Sequence, residues 1–524
     1  MKLDGKSLAE AGWYEEQGIE LPAFDRRQMR EASKEKPGWL HFGPGNIFRA
    51  FIGELQQKLL DEGKCQFGIA VATPNNREMI DKIYRPHDDL SLLVTMHPDE
   101  HMTKKVIGSV AESLSGNPAD ADDWQRLTEI ARSQSLQIIS FTITEKGYKV
   151  PDLQQEQSPD RPNSMMAKAA ALLLARYQQG AYPVTLLSLD NCSHNGDVLK
   201  EAVLSVAGQW QKLGAADEGF ITYLEKRVTF PWTMIDKITP RPSEAVRDML
   251  LKDGFEDMDF VVSQRGGFYA PFVNAEVCGY LVVEDDFANG RPPLEEAGVI
   301  FTDRDTVARV ERMKVCTCLN PLHTALAVFG CLLGYESIAA EMKDEDLRHM
   351  AEAVGREGMK VVTDPGVLSP EEFLAQCLKE RFPNPAIPDT PQRIACDTSQ
   401  KVGIRFGETI KAYAQSEELK AEELTAIPLA AAGWCRYLMG IDDEGRSFEP
   451  SPDPLLEKLR QPFAGLKLGQ VQDVHGLLAG ILSDESIWGS DLYASGVAQK
   501  AEQYFAEMSK GLHGVRETMA RHLK

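Results

Sequence analysis

The chain has 524 residues, 43% of them hydrophobic and 26% charged, with a formal net charge of −22. At about 100–200 residues per domain, that length predicts two or three cores. The acidic balance argues against a nucleic-acid or anionic-membrane partner, both of which need basic surface. No uninterrupted apolar run approaches the roughly 18–20 residues of a membrane span. The start, MKLDGKSLAE, has no apolar signal region. The nine cysteines are scattered without a CxxC pair, as expected of reduced thiols in a cytoplasmic protein.

Residues 1–35 are polar, with a helix expected over Leu8–Gln17. GWLHFGPGN then reads as a buried strand running into a glycine turn. A helix follows over Ile47–Glu62, with Ile47, Phe51, Leu55, Leu59 and Leu60 on one face. GIAVAT (68–73) is the next strand, which completes a βαβ unit and predicts a parallel sheet. The alternation continues through strand 135–143, helix 164–177, strand 182–191 and helix 201–213. Residues 259–284 are β-rich and irregular. From a boundary near 305 the pattern becomes helical, for example from Lys360–Val362 onward, over Gly407–Ala414 and over Gln499–Met508. SFEPSPDP (447–454) is a loop within this half. The expected architecture is α/β: a doubly wound Rossmann-type domain over 1–305, followed by an all-helical domain over 306–524.

Four motifs carry chemistry. Gly43-Pro44-Gly45-Asn46-Ile47-Phe48-Arg49 supplies two of the three glycines that bring a helix N-terminus against a pyrophosphate, Phe48 replacing the third. An ordinary strand–helix turn is the competing reading, but its place in the first βαβ unit points to a nucleotide. No acid ends the second strand, where Arg77 leaves NADP open beside NAD. The next two motifs, Thr142-Ile143-Thr144-Glu145 and Ser188-Leu189-Asp190-Asn191, lie at strand carboxyl ends, where open α/β sheets bind ligands. Their polar residues are also ordinary loop composition. The fourth is Lys314, Asn320 and His323 at the head of a very apolar helix. A lysine there is costly to keep charged, which suits a general base. Asn320 and Pro321 also read as a plain helix start. Cys316 and Cys318, without a second pair, are a poor zinc signal.

These motifs, in this order, resemble the polyol-specific long-chain dehydrogenases/reductases, which include mannitol 2-dehydrogenase and fructuronate (mannonate) reductase. The likeness runs from LPAFDRRQ (21–28) through HFGPGNIFRAF, LSLDNCSHNGD and VTFPWTMIDKITP to FPNPAIPDTPQRIACDTSQK and YLMGIDDEGRSFE. The resemblance implies metal-free hydride transfer between a nicotinamide, NAD or NADP, and a secondary alcohol or ketone. It implies that Lys314 is the general acid/base, that Asn191 and Asn320 hold the developing alkoxide, and that His323 binds substrate. It places Gly43, Gly45, Asn46, Ile47, Phe48, Arg49, Glu145 and Asp236 on the cofactor side, with Glu145 and Glu311 near the proton path. Arg393 and Lys401 match the substrate-contacting basic pair. The implied partner is a small sugar acid or polyol, with a fructuronate/mannonate-type acid favoured over mannitol. The oligomeric state stays at monomer or dimer.

Three features depart from that pattern: residues 73–96, extra residues in 263–276, and one additional residue between Lys314 and Asn320. At about 100° per residue, the usual spacing sets lysine and histidine ~80° apart, and the longer one ~180° apart. Both can serve one substrate only if a π-bulge or a break within Val315–Leu319 absorbs the extra residue. A catalytically silent sugar- or nucleotide-sensing protein and a zinc-dependent alcohol dehydrogenase are the alternative readings.

Overall fold

A computed structural model describes residues 1–75, 77–150, 152–263 and 266–523. The chain divides into two units, Met1–His97 with His101–Ala308, and Arg309–Lys524 with Pro98–Glu100.

The first unit is built on six strands: β1 (Trp39–Phe42), β2 (Ile69–Thr73), β3 (Val110–Ser115), β4 (Ile138–Phe141), β5 (Val184–Ser188) and β6 (Val228–Thr229). Their spatial order is 3-2-1-4-5-6 and every pairing is parallel. That is the order of a doubly wound dinucleotide-binding sheet, which reverses direction between β1 and β4. The strands read as unbroken apolar runs because both faces are covered. Leu40, Phe42, Ile139 and Phe141 face one core, which is closed by α2 (Ala121–Arg132), α3 (Met165–Gly180) and α4 (Asn195–Lys212). Trp39, Ile69, Val71 and Ile138 face another, closed by α1 (Gly53–Asp61). Smaller sheets flank this frame. The largest orders Ile19–Glu20, Met102–Ile107, Ser91–Met96 and Phe272–Glu276 side by side.

The second unit is helical. Arg304–Leu333 includes a stretch long and apolar enough to cross a membrane, but 83% of that stretch is buried. It ends in α5 (Asn320–Leu333), which packs on α6 (Glu345–Met359) and α7 (Ala426–Leu438). Every residue of α7 is buried, as its apolar circumference requires, and α8 (Ala498–Met508) packs along it.

Some element boundaries differ from expectation. The expected Leu8–Gln17 helix is a 3-10 turn at Ser7–Ala9 followed by a short helix, Ala11–Glu16. The helix expected from Lys360 onward lies before that residue, as α6. Asp364 and Gly366, the latter at φ 74°, turn the chain there. α4 starts six residues earlier than the periodicity predicts, because Asn195 is buried at its head. Five π-helical segments interrupt helices among the described residues: Phe48–Ile52, Ile80–Tyr84, Lys314–Cys318, Cys377–Arg381 and Gly403–Gly407.

Candidate active site

In the first unit, the carboxyl ends of β1, β2, β4 and β5 bring three of the motifs together. Gly43 sits at φ 90°, and a Cβ there would lie 2.1 Å from the Thr142 carbonyl oxygen. Only glycine fits. The turn is pinned by Thr142 Oγ1 donating to Gly43 O (2.6 Å) and by the Tyr84 hydroxyl donating to Pro44 O (2.7 Å). At Gly45 a Cβ would meet only Gly43 O, at 3.9 Å. Neither neighbouring atoms nor backbone angle therefore demands glycine at 45. A group approaching from outside the chain would. The helix begins at Asn46, so its unpaired N–H groups face an anion placed there. A dinucleotide pyrophosphate fits this cradle.

The side chains of Phe48 and Arg49 turn inward, so a cofactor contact at these two positions would fall to the backbone. Phe48 is fully buried and stacked on His41, ring centroids 4.3 Å apart. Arg49 is 1% exposed, donating Nη1 to Ala270 O (2.7 Å) and Nη2 to Asn46 Oδ1 (3.1 Å). The π segment that starts at Phe48 turns both inward, where they brace the turn. Ile47 is half-buried against the same core, and Asn46 also reaches Pro240 O (3.4 Å). Asp236 ends a strand, Thr233–Asp236, and is buried.

Asp190 is the organiser that sequence reasoning missed. Its carboxylate accepts from Ile143 N (2.8 Å), Thr144 N (2.9 Å) and the Tyr148 hydroxyl (2.7 Å), tying the end of β4 to the end of β5. Those bonds hold Thr144 at φ 63°, an unusual conformation for a β-branched residue. Burial pushes the Asp190 carboxyl up, and the three donors oppose it. Asn191, the next residue, is exposed. Glu145 is exposed as well, 3.6 Å from Lys149. Asn195 takes no part at the surface; its amide bonds Asp190 O and Thr233.

A cavity of about 400 Å³ opens at the ends of β2 and β4, lined by Pro74, Asn75, Ile143 and Ser164 among others. Lys168, buried in α3, holds Pro74 O (2.7 Å) and Asn75 Oδ1 (2.5 Å). Arg77 is engaged by Asp81 (3.1 Å) and Asp120 (2.6 Å). Asn76 lies outside the described residues, as do Gln264 and Arg265 of the divergent 263–276 stretch.

In the second unit, Lys314 opens the π segment Lys314–Cys318 and is 8% exposed. Leu319 N donates to Lys314 O at 3.1 Å, a five-residue step, and Leu319 leaves helical angles at φ −127°. The extra residue is thus absorbed within the segment the spacing argument singles out. Asn320 begins α5 with Pro321 behind it, and His323 lies on its first turn.

His323 is 3.6 Å from Asp389 Oδ2, but burial, then Arg405, Arg393, Arg381 and Lys401, hold the imidazole down to about 3. It is therefore neutral near pH 7, and the contact is no ion pair. Arg393 bonds Asp389 Oδ1, and Lys401 bonds Cys396 O. Arg405 and Arg381, each on a π segment, were not singled out from the sequence. The signal for Arg405 was its place one helical turn beyond Lys401. Glu311 is half-buried on Arg304–Met313.

Burial pushes the Cys316 and Cys318 thiols up to about 11. No three His, Cys, Asp or Glu residues group as a metal site among the described residues.

Residues 37–296 match the mannitol dehydrogenase Rossmann domain, and 306–509 the mannitol dehydrogenase C-terminal domain. The chain is 49% identical to a D-mannonate oxidoreductase of Thermotoga maritima over 99% of its length and 98% of the relative's. It is 29% identical to a polyol:NADP oxidoreductase of Gluconobacter oxydans, covering 82% and 86%. The Pseudomonas fluorescens mannitol 2-dehydrogenase, solved with NAD and D-mannitol, is similar over 99% of both chains, at 26% identity and a TM-score of 0.72. With both halves matched in order, and a glycine turn and a lysine–asparagine–histidine segment in place, the chain belongs to the mannitol dehydrogenase family.

Proposed function

We infer that the chain is a nicotinamide-dependent secondary-alcohol dehydrogenase/ketone reductase that interconverts a keto-hexuronate and its aldonate, of the fructuronate/mannonate kind. One observation carries the choice of a sugar acid over a polyol. The chain is 49% identical to a D-mannonate oxidoreductase over its whole length, against 29% for the polyol:NADP enzyme. The free thiols fit a reducing compartment, the cytoplasm.

The turn at Gly43 and Gly45 and the helix N-terminus at Asn46 would hold the cofactor. NAD supplies or accepts the hydride when bound. Arg77, already engaged by two carboxylates, is poorly placed to recruit the 2′-phosphate of NADP, which supports NAD. Lys314 takes the substrate's hydroxyl proton onto Nζ during oxidation and returns it during reduction. Asn320 donates its amide N–H to the oxygen on which charge develops, a bond commonly worth roughly 3 kcal/mol, and Asn191 is a second amide donor of the kind such an oxygen needs. His323, neutral, adds a hydrogen bond without adding charge. Arg393 and Lys401 draw in the acid.

Initial rates of NADH and NADPH oxidation with fructuronate, tagaturonate, fructose and fructose 6-phosphate test this reading. Fructuronate with NADH is expected to be fastest. A faster rate with fructose would favour the polyol enzyme, and no turnover of any of the four would remove the reading.

A further inference from the structure

The charges around His323 do not balance. Arg393 is neutralised by Asp389. Among the described residues Lys401 bonds a neutral carbonyl, that of Cys396, and burial and then Arg405 lower its pKa against the opposing pull of Asp397 and Asp453. Arg405 is half-buried, and its guanidinium donates Nη1 to the Thr324 hydroxyl at 2.5 Å. No carboxylate pairs with it among the described residues, and burial alone lowers it to about 10. A half-buried guanidinium with only a neutral acceptor is a state that an incoming anion relieves. The chain as a whole, at −22, leaves this cluster in sharp contrast.

Placement gives the guanidinium a direction. Thr324 follows His323 on α5, and its hydroxyl is itself anchored to Asn320 O (2.9 Å). Arg405 is thus tethered one residue from the substrate-binding histidine. Lys401 and Arg405 share one helical turn, with Arg405 N donating to Lys401 O at 3.0 Å. Each lowers the cost of an anion binding to the other.

We propose that Arg405, aimed by Thr324, receives the carboxylate of a six-carbon sugar acid and makes the site select such acids over neutral ketoses. The role rests on the sugar-acid reading above and adds a residue to it beyond Arg393 and Lys401. A guanidinium matches a carboxylate through two parallel N–H donors, which an ammonium does not.

The test compares the full-length protein with Arg405→Met, Arg405→Lys and Thr324→Val, measuring kcat and KM for NADH-dependent reduction of fructuronate and of fructose. Arg405→Met is expected to lower kcat/KM for fructuronate on the order of a hundred-fold, mainly through KM. Fructose should change less than about three-fold, and the KM for NADH should not move. Arg405→Lys and Thr324→Val should fall between, and they carry the test if the methionine variant does not fold. Equal losses for acid and ketose, or no loss for the acid, overturn the proposal.

Calorimetric binding of mannonate separates the proposal from the reading it rests on. If the unmodified protein turns over no sugar acid, the reading fails. Mannonate binding that is lost in Arg405→Met still supports the receptor, and equal or absent binding overturns it. Faster turnover of fructose 6-phosphate than of fructuronate assigns the site to phosphate and overturns the carboxylate.

Discussion

Gly43 and Gly45 stand two residues apart and meet different demands, which makes them separable by mutation. A Cβ at 43 enters the Thr142 carbonyl from a backbone angle that L-residues avoid, so Gly43→Ala should cost about 2–4 kcal/mol of stability. A side chain at 45 meets no such obstacle. Gly45→Val should unfold within a degree or two of the parent while raising the KM for NADH roughly ten-fold or more. A valine variant with unchanged KM would remove the pyrophosphate from this turn. Lys314 gives the complementary result. Lys314→Ala should lower kcat by roughly 10²–10⁴ while leaving NADH affinity, read by fluorescence titration, nearly unchanged.

At the scale of the element, the π segment at Lys314–Cys318 is the device that lets the longer spacing work. Deleting Val315, the one half-exposed residue among those five, should return the segment to a regular α-helix and to the family's usual spacing. That variant is expected to keep turnover within about ten-fold. Inserting an alanine after Val315 should rotate His323 by ~100° relative to Lys314 and lower kcat at least a hundred-fold with little change in melting temperature. If the deletion is the more damaging of the two, the bulge is required in its own right. The bulge was legible because one spacing disagreed with a pattern. The π segments at Phe48–Ile52 and Gly403–Gly407 were not, since nothing in their periodicity marks an inserted residue. That is why the inward turn of Phe48 and Arg49 and the placement of Arg405 could not be read from the sequence.

Over the whole molecule, the sheet was legible for a simple reason. Strands covered on both faces must be apolar throughout, as in IAVAT and VTLLS, and helices between them force parallel pairing. Asp190 was not legible, because a carboxylate that clamps two backbone N–H groups looks like any other loop acid. Buried titratable groups set the response to acid. His41 and His323 are both held at about 3, against an ordinary value near 6.5. Below pH ~6.5 the unfolded chain takes up two protons that the fold refuses, so the histidines' contribution to stability falls as pH drops toward 3 and does not change above ~6.5. Each histidine contributes up to about 1.4 kcal/mol per pH unit. Glu341, raised by burial, acts with the opposite sign, losing stability as pH rises above its unfolded value. Denaturant unfolding at pH 6.5, 5.5 and 4.5 should show a shallower decline for His41→Gln than for the parent. An identical decline would mean that His41 is protonated in the fold.

The bulge at Lys314–Cys318 also bears on how relatives are compared. A residue gained inside a helix is usually expected to shift everything that follows it, so a gap within a helix is taken for an alignment error and moved to the nearest loop. Here the five-residue step from Lys314 O to Leu319 N gives an added residue a place within the helix itself. The gap belongs inside the helix.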